Sequence, residues 1–162
     1  MLHIYPLKDT DVRIFQNLFK EYYAELGCTD DTAHLVDEYI IPDMKASLLH
    51  VNLIAEDGNA IGFIIYQIDD IDNEWNLKEG RGDIREIYIS PSHRLKGNGK
   101  FLLYFAEMKL KEAGAKGAYC LPFEGAVPFF KACGYADSGE YCEDLDCNIF
   151  EKNNLNNCCH DE

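Results

Sequence analysis

Residues 84–100 run IREIYISPSHRLKGNGK. A β-branched stretch, residues 84–89, stops at Ser90 and Pro91 and leads into a basic turn with glycines at 97 and 99. Residues 98–113 follow, with Phe101, Leu102, Phe105, Ala106 and Leu110 on one wide apolar face, and Gly114 after them. That spacing predicts a helix. A strand, a glycine turn and a helix together form an anion-binding arrangement. The unpaired N–H groups of a helix N-terminus point outward, and the helix dipole adds partial positive charge there. Gly97 and Gly99 allow close backbone approach, and Arg94, Lys96 and Lys100 add full charges.

The charge distribution singles out the same place. The 162-residue chain carries a net charge of −14, with 15 Lys and Arg against 29 Asp and Glu. Residues 1–90 are net −11, residues 91–116 are net +4, and residues 117–162 are net −7. Nucleic acid and anionic membrane are poor partners for such a chain. An anionic ligand belongs on the basic island. Two familiar phosphate loops do not fit it. Phe101 follows Gly99–Lys100 where a Walker A loop needs Ser or Thr, and Leu102 stands where a dinucleotide fingerprint needs its third glycine.

Working outward, residues 3–7 are expected as a first strand and residues 10–26 as an amphipathic helix ended by Gly27. Residues 33–40 are expected to be helical until Pro42 interrupts, with a further short turn over 43–48. Residues 49–56 and 60–68 flank Asp57–Gly58–Asn59 as a hairpin. Residues 69–80 form an acidic loop around Trp75. Residues 118–121 are a strand, 126–133 a short helix closed by Gly134, and the chain from Tyr135 to Phe150 two last strands. The fold class is therefore α/β, a mixed and mostly antiparallel sheet with helices on both faces. One domain is expected over residues 1–151, with a loose Asn-rich tail over 152–162. The opening residues show no export signal and no apolar run approaches the roughly 18 residues of a membrane span, so a cytoplasmic protein with reduced thiols is expected.

The turn from Arg94 to Gly99 has the pattern R-x-x-G-x-G, and the strand before it ends Y-I-S-P. This resembles motif A of the GNAT N-acetyltransferases. The opening IYPLKDTD, the hairpin IAEDGNAIGFIIY and the segment GAVPFFKACGY are similar to the family's first strand, its strands two and three, and its fourth helix. The resemblance implies acetyl-CoA as co-substrate, bound in a V-shaped opening between the strands at 84–89 and 118–121. It implies a pyrophosphate on the backbone N–H groups of Leu95, Lys96, Gly97, Asn98, Gly99 and Lys100, beside Arg94. The pantetheine arm would run along Ile87, Tyr88 and Ile89, where a backbone N–H polarises the thioester carbonyl.

An amine must be neutral to attack, so a base is needed. By similarity the base lies eleven positions before the motif, which is Asp83, with Glu86 of the same strand as the rival. Strict alternation puts the two on opposite faces unless a bulge intervenes. Many relatives protonate the leaving thiolate with a Tyr four residues before the helix-ending Gly. Here that cofactor-facing position is Phe130, which cannot donate, and Phe123 replaces an Asn that often contacts the cofactor. Tyr135, Cys133 and Tyr119 are the nearby substitutes, each more readily a core residue.

No metal is expected, since Cys142-x4-Cys147 and Cys158–Cys159–His160 lack zinc spacing, and His93 suits the phosphate turn better than a nucleophilic pair. Acidic residues Glu21, Glu25, Asp30, Asp31, Asp37, Glu38, Asp69, Asp70, Asp72 and Glu74 lie on the first helices and the Trp75 loop. By resemblance these regions shape the acceptor site and favour a small cationic amine; a solvated acidic face explains them equally well. A protein N-terminus or lysine is the alternative acceptor, and a CoA-binding sensor with little turnover the non-enzymatic alternative. A homodimer is a common family arrangement.

Overall fold

The computed structural model describes residues 1–70 and 76–155. Trp75, Asp72 and Glu74, and the tail cysteines 158 and 159 with His160, lie outside the described residues. Among the described residues, seven strands form one mixed sheet: β1 (Leu2–Pro6), β2 (His50–Glu56), β3 (Asn59–Ile68), β4 (Gly82–Ile89), β5 (Ala118–Cys120), β6 (Ala136–Cys142) and β7 (Cys147–Lys152). Their order is β1-β2-β3-β4-β5-β7-β6. The helices are α1 (Val12–Glu25), α2 (Ala33–Leu35), α3 (Ile41–Lys45), α4 (Asn98–Glu112) and α5 (Val127–Ala132). The chain forms two compact units, one of residues 1–65 and 86–102, the other of residues 66–85 and 103–162.

In the first unit β1 runs antiparallel to β2, from Leu2 opposite Glu56 to Pro6 opposite Asn52. Phe15, Leu18 and Phe19, at the i, i+3 and i+4 positions of α1, are buried with Val36, Ile40, Leu53, Phe63 and Tyr88. The rings of Phe15 and Phe63 meet edge to face at 5.1 Å. Gly27 ends α1 in the left-handed conformation, φ 87°. Its N–H bonds to Ala24 O, and the Cys28 N–H to Tyr23 O, which is a Schellman cap.

Pro42 departs from expectation. The helical path does not stop there but passes from α2 through a π-helical turn, Val36–Ile40, into α3. Pro42 falls in the first turn of α3, directly after the π-helical turn. Gly62 in β3 has a different reason to be glycine: a Cβ there would lie 2.2 Å from Tyr88 O.

In the second unit β4 and β5 run parallel, with Gly82 opposite Ala118 and Asp83 opposite Tyr119. β5 also pairs antiparallel with β7, and β7 with β6. Glu107 of α4 and Lys152 of β7 form a buried ion pair at 2.9 Å, and Tyr135 donates to the other Glu107 oxygen at 2.9 Å. Asp69, expected as a loop charge facing an acceptor, is buried instead. Its Oδ2 accepts the N–H groups of Leu77 and Lys78 at 2.9 and 2.8 Å and the Tyr119 hydroxyl. A buried carboxylate needs such donors, and here they close the loop onto its base.

Candidate functional site

The turn ahead of α4 is open. Leu95 is fully solvent-exposed with φ 60°, and Gly97 has φ 84° with nothing within 4 Å of where its Cβ would be. Asn98 is buried, and its Nδ2 donates to His93 O at 2.9 Å, which fixes the turn against the helix. The first backbone bond of the helix joins the Phe101 N–H to Gly97 O at 2.9 Å. The amides of Asn98, Gly99 and Lys100 therefore lie ahead of it, at the positive end of a 15-residue helix. An open glycine cradle, helix-end amides and two exposed lysines, 96 and 100, suit a polyanionic phosphate group.

Arg94 is oriented elsewhere. Its Nη2 donates to both carboxylate oxygens of Glu25 at 2.8 Å, and its Nε to Ile89 O at 2.7 Å. The guanidinium stands over the Tyr88 ring, 5.4 Å from its centre. The side chain thus ties the turn to α1 and to the end of β4, and its charge is paired with Glu25 within the protein.

Glu86 and Tyr88, two residues apart on β4, both reach α1. The Tyr22 hydroxyl donates to Glu86 Oε2 at 2.5 Å and the Tyr23 hydroxyl to Oε1 at 3.5 Å. The Tyr88 hydroxyl lies 3.4 Å from Glu21 and 3.3 Å from Glu25. Burial, then Glu25 and Glu21, push the Tyr88 phenol up to about 12. Burial and Glu86 push the Tyr22 phenol up strongly as well. Three carboxylates and three tyrosines thus share one patch of the first unit. Tyr22 and Tyr23 were legible in sequence only as apolar positions of an amphipathic helix.

Asp83 has other surroundings. It is buried in the second unit, and its charge raises the Tyr119 phenol and the Cys120 thiol, both already raised mainly by burial. Phe130 is buried too, its ring edge to face with Phe129 at 5.2 Å and with Tyr135 at 5.4 Å. The nearby donors are committed: the Tyr135 hydroxyl to Glu107, the Tyr119 hydroxyl to Asp69. Cys133 is buried. Ile87, Tyr88 and Ile89 form the end of β4, with the Ser90 N–H bonded to Ile61 O at 2.8 Å.

β4 runs parallel to β5, and a glycine turn at the N-terminus of α4 lies between them in the chain, a fold shared with acyl-CoA N-acyltransferases. The sequence profile of the acetyltransferase (GNAT) family matches residues 12–135, and the chain belongs to that family. An N-acetyltransferase of unknown role, YjcF of Bacillus subtilis, is 34% identical over 61 residues, covering 38% of this chain and 44% of that protein. The match thus spans less than half of that relative. The PaiA N-acetyltransferase of Thermoplasma acidophilum, solved with coenzyme A, superposes with a TM-score of 0.72 at 19% identity, over 95% of this chain and 99% of its own. A predicted acetyltransferase of Clostridium acetobutylicum, solved with acetyl-CoA, gives 0.75 at 19% identity, over 88% and 95%. Among the described residues, no helix is long and apolar enough to cross a membrane.

Proposed function

We propose that this protein transfers the acetyl group of acetyl-CoA to the amine of a small cationic acceptor, by direct attack on the thioester. Family membership supports the reaction, and the CoA and acetyl-CoA complexes of the two structural neighbours support the co-substrate. The residues fit it. The open turn at Leu95, Lys96, Gly97, Asn98, Gly99 and Lys100 would hold the pyrophosphate, and Ile87, Tyr88 and Ile89 the pantetheine arm. Acetyl-CoA supplies an activated acyl carbon. The protein orients it, polarises its carbonyl by a backbone N–H of β4, and takes the acceptor's proton.

The observation that carries the acceptor reading is Glu86, half-exposed and fixed by Tyr22 and Tyr23. Asp83, by contrast, is buried beside Tyr119. Glu86 is therefore our choice of base. Glu21 beside Tyr88 favours a second positive charge on the acceptor, the neighbouring Glu25 being already paired to Arg94. Phe130 favours one further reading, a CoA-binding sensor with little turnover, because a phenyl ring cannot protonate a leaving thiolate. We hold that the thiolate leaves without a side-chain acid, since a thiol ionises near pH 8.5.

The test is release of free CoA thiol across a panel of monoamines, polyamines, aminoglycosides and basic peptides. Turnover fastest with multiply charged small amines supports the proposal. Turnover with peptides only would move the acceptor to a protein. Acetyl-CoA bound but never consumed would establish the sensor.

A further inference from the structure

Cys142 and Cys147 are register partners, the last pair of the β6–β7 ladder before its turn. Directly opposed residues of an antiparallel ladder share one face, with Cα atoms about 4.5–5.5 Å apart. A disulfide needs about 4.4–6.8 Å. The turn between them is already closed, with the Asp146 N–H on Glu143 O at 3.3 Å and the Tyr141 hydroxyl on the Asp146 carboxylate. Both thiols are free and half-exposed, whereas Cys120 and Cys133 of the same unit are buried. The charge of Cys142 is felt at Cys147, where burial and that neighbour hold the thiol above its ordinary range.

We propose that Cys142 and Cys147 are a dithiol modification site, oxidised to an intramolecular disulfide by small disulfides such as glutathione disulfide. One cysteine, as thiolate, attacks the reagent; its S–S bond breaks and one glutathione thiolate leaves. The second cysteine, as thiolate, attacks the mixed disulfide and releases the other glutathione. The two protein protons pass to solvent or to the leaving thiolates, and the reagent takes up the two electrons. The reaction staples β6 to β7. β6 is one of the two edge strands of the sheet, with one side of its ladder unpaired.

The full-length protein is equilibrated with glutathione disulfide under native conditions, alkylated, digested and weighed. The expected product is one peptide containing both cysteines, lighter by two hydrogens, unalkylated and without glutathione, and restored by dithiothreitol. It is expected equally in the Cys158→Ser/Cys159→Ser background. In Cys142→Ser, Cys147 should instead retain a glutathione adduct. Alkylation of both Cys142 and Cys147 after equilibration, a stable glutathione adduct on either in the wild-type chain, or a link from either to another cysteine would overturn the proposal.

Discussion

The Tyr22 hydroxyl meets Glu86 Oε2 at 2.5 Å, joining α1 to β4 over 64 residues of sequence. A hydrogen bond to an ionised carboxylate favours that form, as the proposed role of Glu86 requires. Tyr22→Phe removes the donor while keeping the ring contacts to Phe63 and Tyr88. The acid limb of the pH profile of kcat/KM should then move up by about half to one pH unit, the equivalent of about 1 kcal/mol. Glu86→Gln should abolish that limb and cost roughly 100-fold or more in rate. Asp83→Asn should leave the limb in place. A limb that follows Asp83 would transfer the role of base.

Arg94 should behave as a tether rather than as a simple phosphate charge. Its bidentate contact with Glu25 and its bond to Ile89 O use the planar fork of guanidinium. Arg94→Lys should therefore lose nearly as much as Arg94→Ala. The ion pair is well exposed, so global stability should change by less than about 1 kcal/mol in either variant. The KM for acetyl-CoA should rise, and it should rise in Glu25→Gln as well. Unchanged KM in Glu25→Gln would remove the tether.

Gly62→Ala tests the seat of β4. Its Cβ would stand 2.2 Å from Tyr88 O and 2.8 Å from Ile89 Cδ1. The Ile89 methyl is the end of a side chain and can turn away, but Tyr88 O is backbone and cannot yield cheaply. We expect a loss of about 3 kcal/mol or more in urea unfolding, as for severe overpacking, with activity lost in proportion.

The buried pair Glu107 and Lys152 should distinguish breaking an ion pair from removing it. Lys152→Met alone leaves a buried carboxylate with Tyr135 as its remaining partner and should cost about 3–5 kcal/mol. Glu107→Leu with Lys152→Met should be near neutral. Burial raises the Glu107 carboxyl above its ordinary value of 4.5, against the pull of Lys152 and Tyr135. A carboxyl raised in the folded state adds stability below its unfolded pKa and loses it as pH rises through the folded one. In Lys152→Met that loss should be steeper and lie at higher pH. Unfolding in urea at mildly acid and mildly alkaline pH measures it.

The glycine turn was legible because its information is local: charge, glycines and a helix start fall within seven residues. Element order was legible for the same reason, and it carried the mixed sheet with helices on both faces. What lay outside sequence reasoning was tertiary. Nothing in residues 10–26 says that Tyr22 will meet Glu86, or that Glu25 will take Arg94, 69 residues on. Asp69 looked like a loop charge because its partners are two backbone amides, which composition does not reveal, and two side chains brought in by folding, Gln67 and Tyr119. Pro42 looked like a helix stop because its cost depends on position within a turn, and a π-helical turn before it set that position.

The most direct measurement is a calorimetric titration of the wild-type chain and of Gly99→Trp with acetyl-CoA. The variant places an indole in the glycine turn at the helix N-terminus. The account predicts saturable binding at one site per chain in the wild type and none in a folded Gly99→Trp. Equal affinity in the two proteins, or no heat with the wild type at millimolar acetyl-CoA, would contradict it.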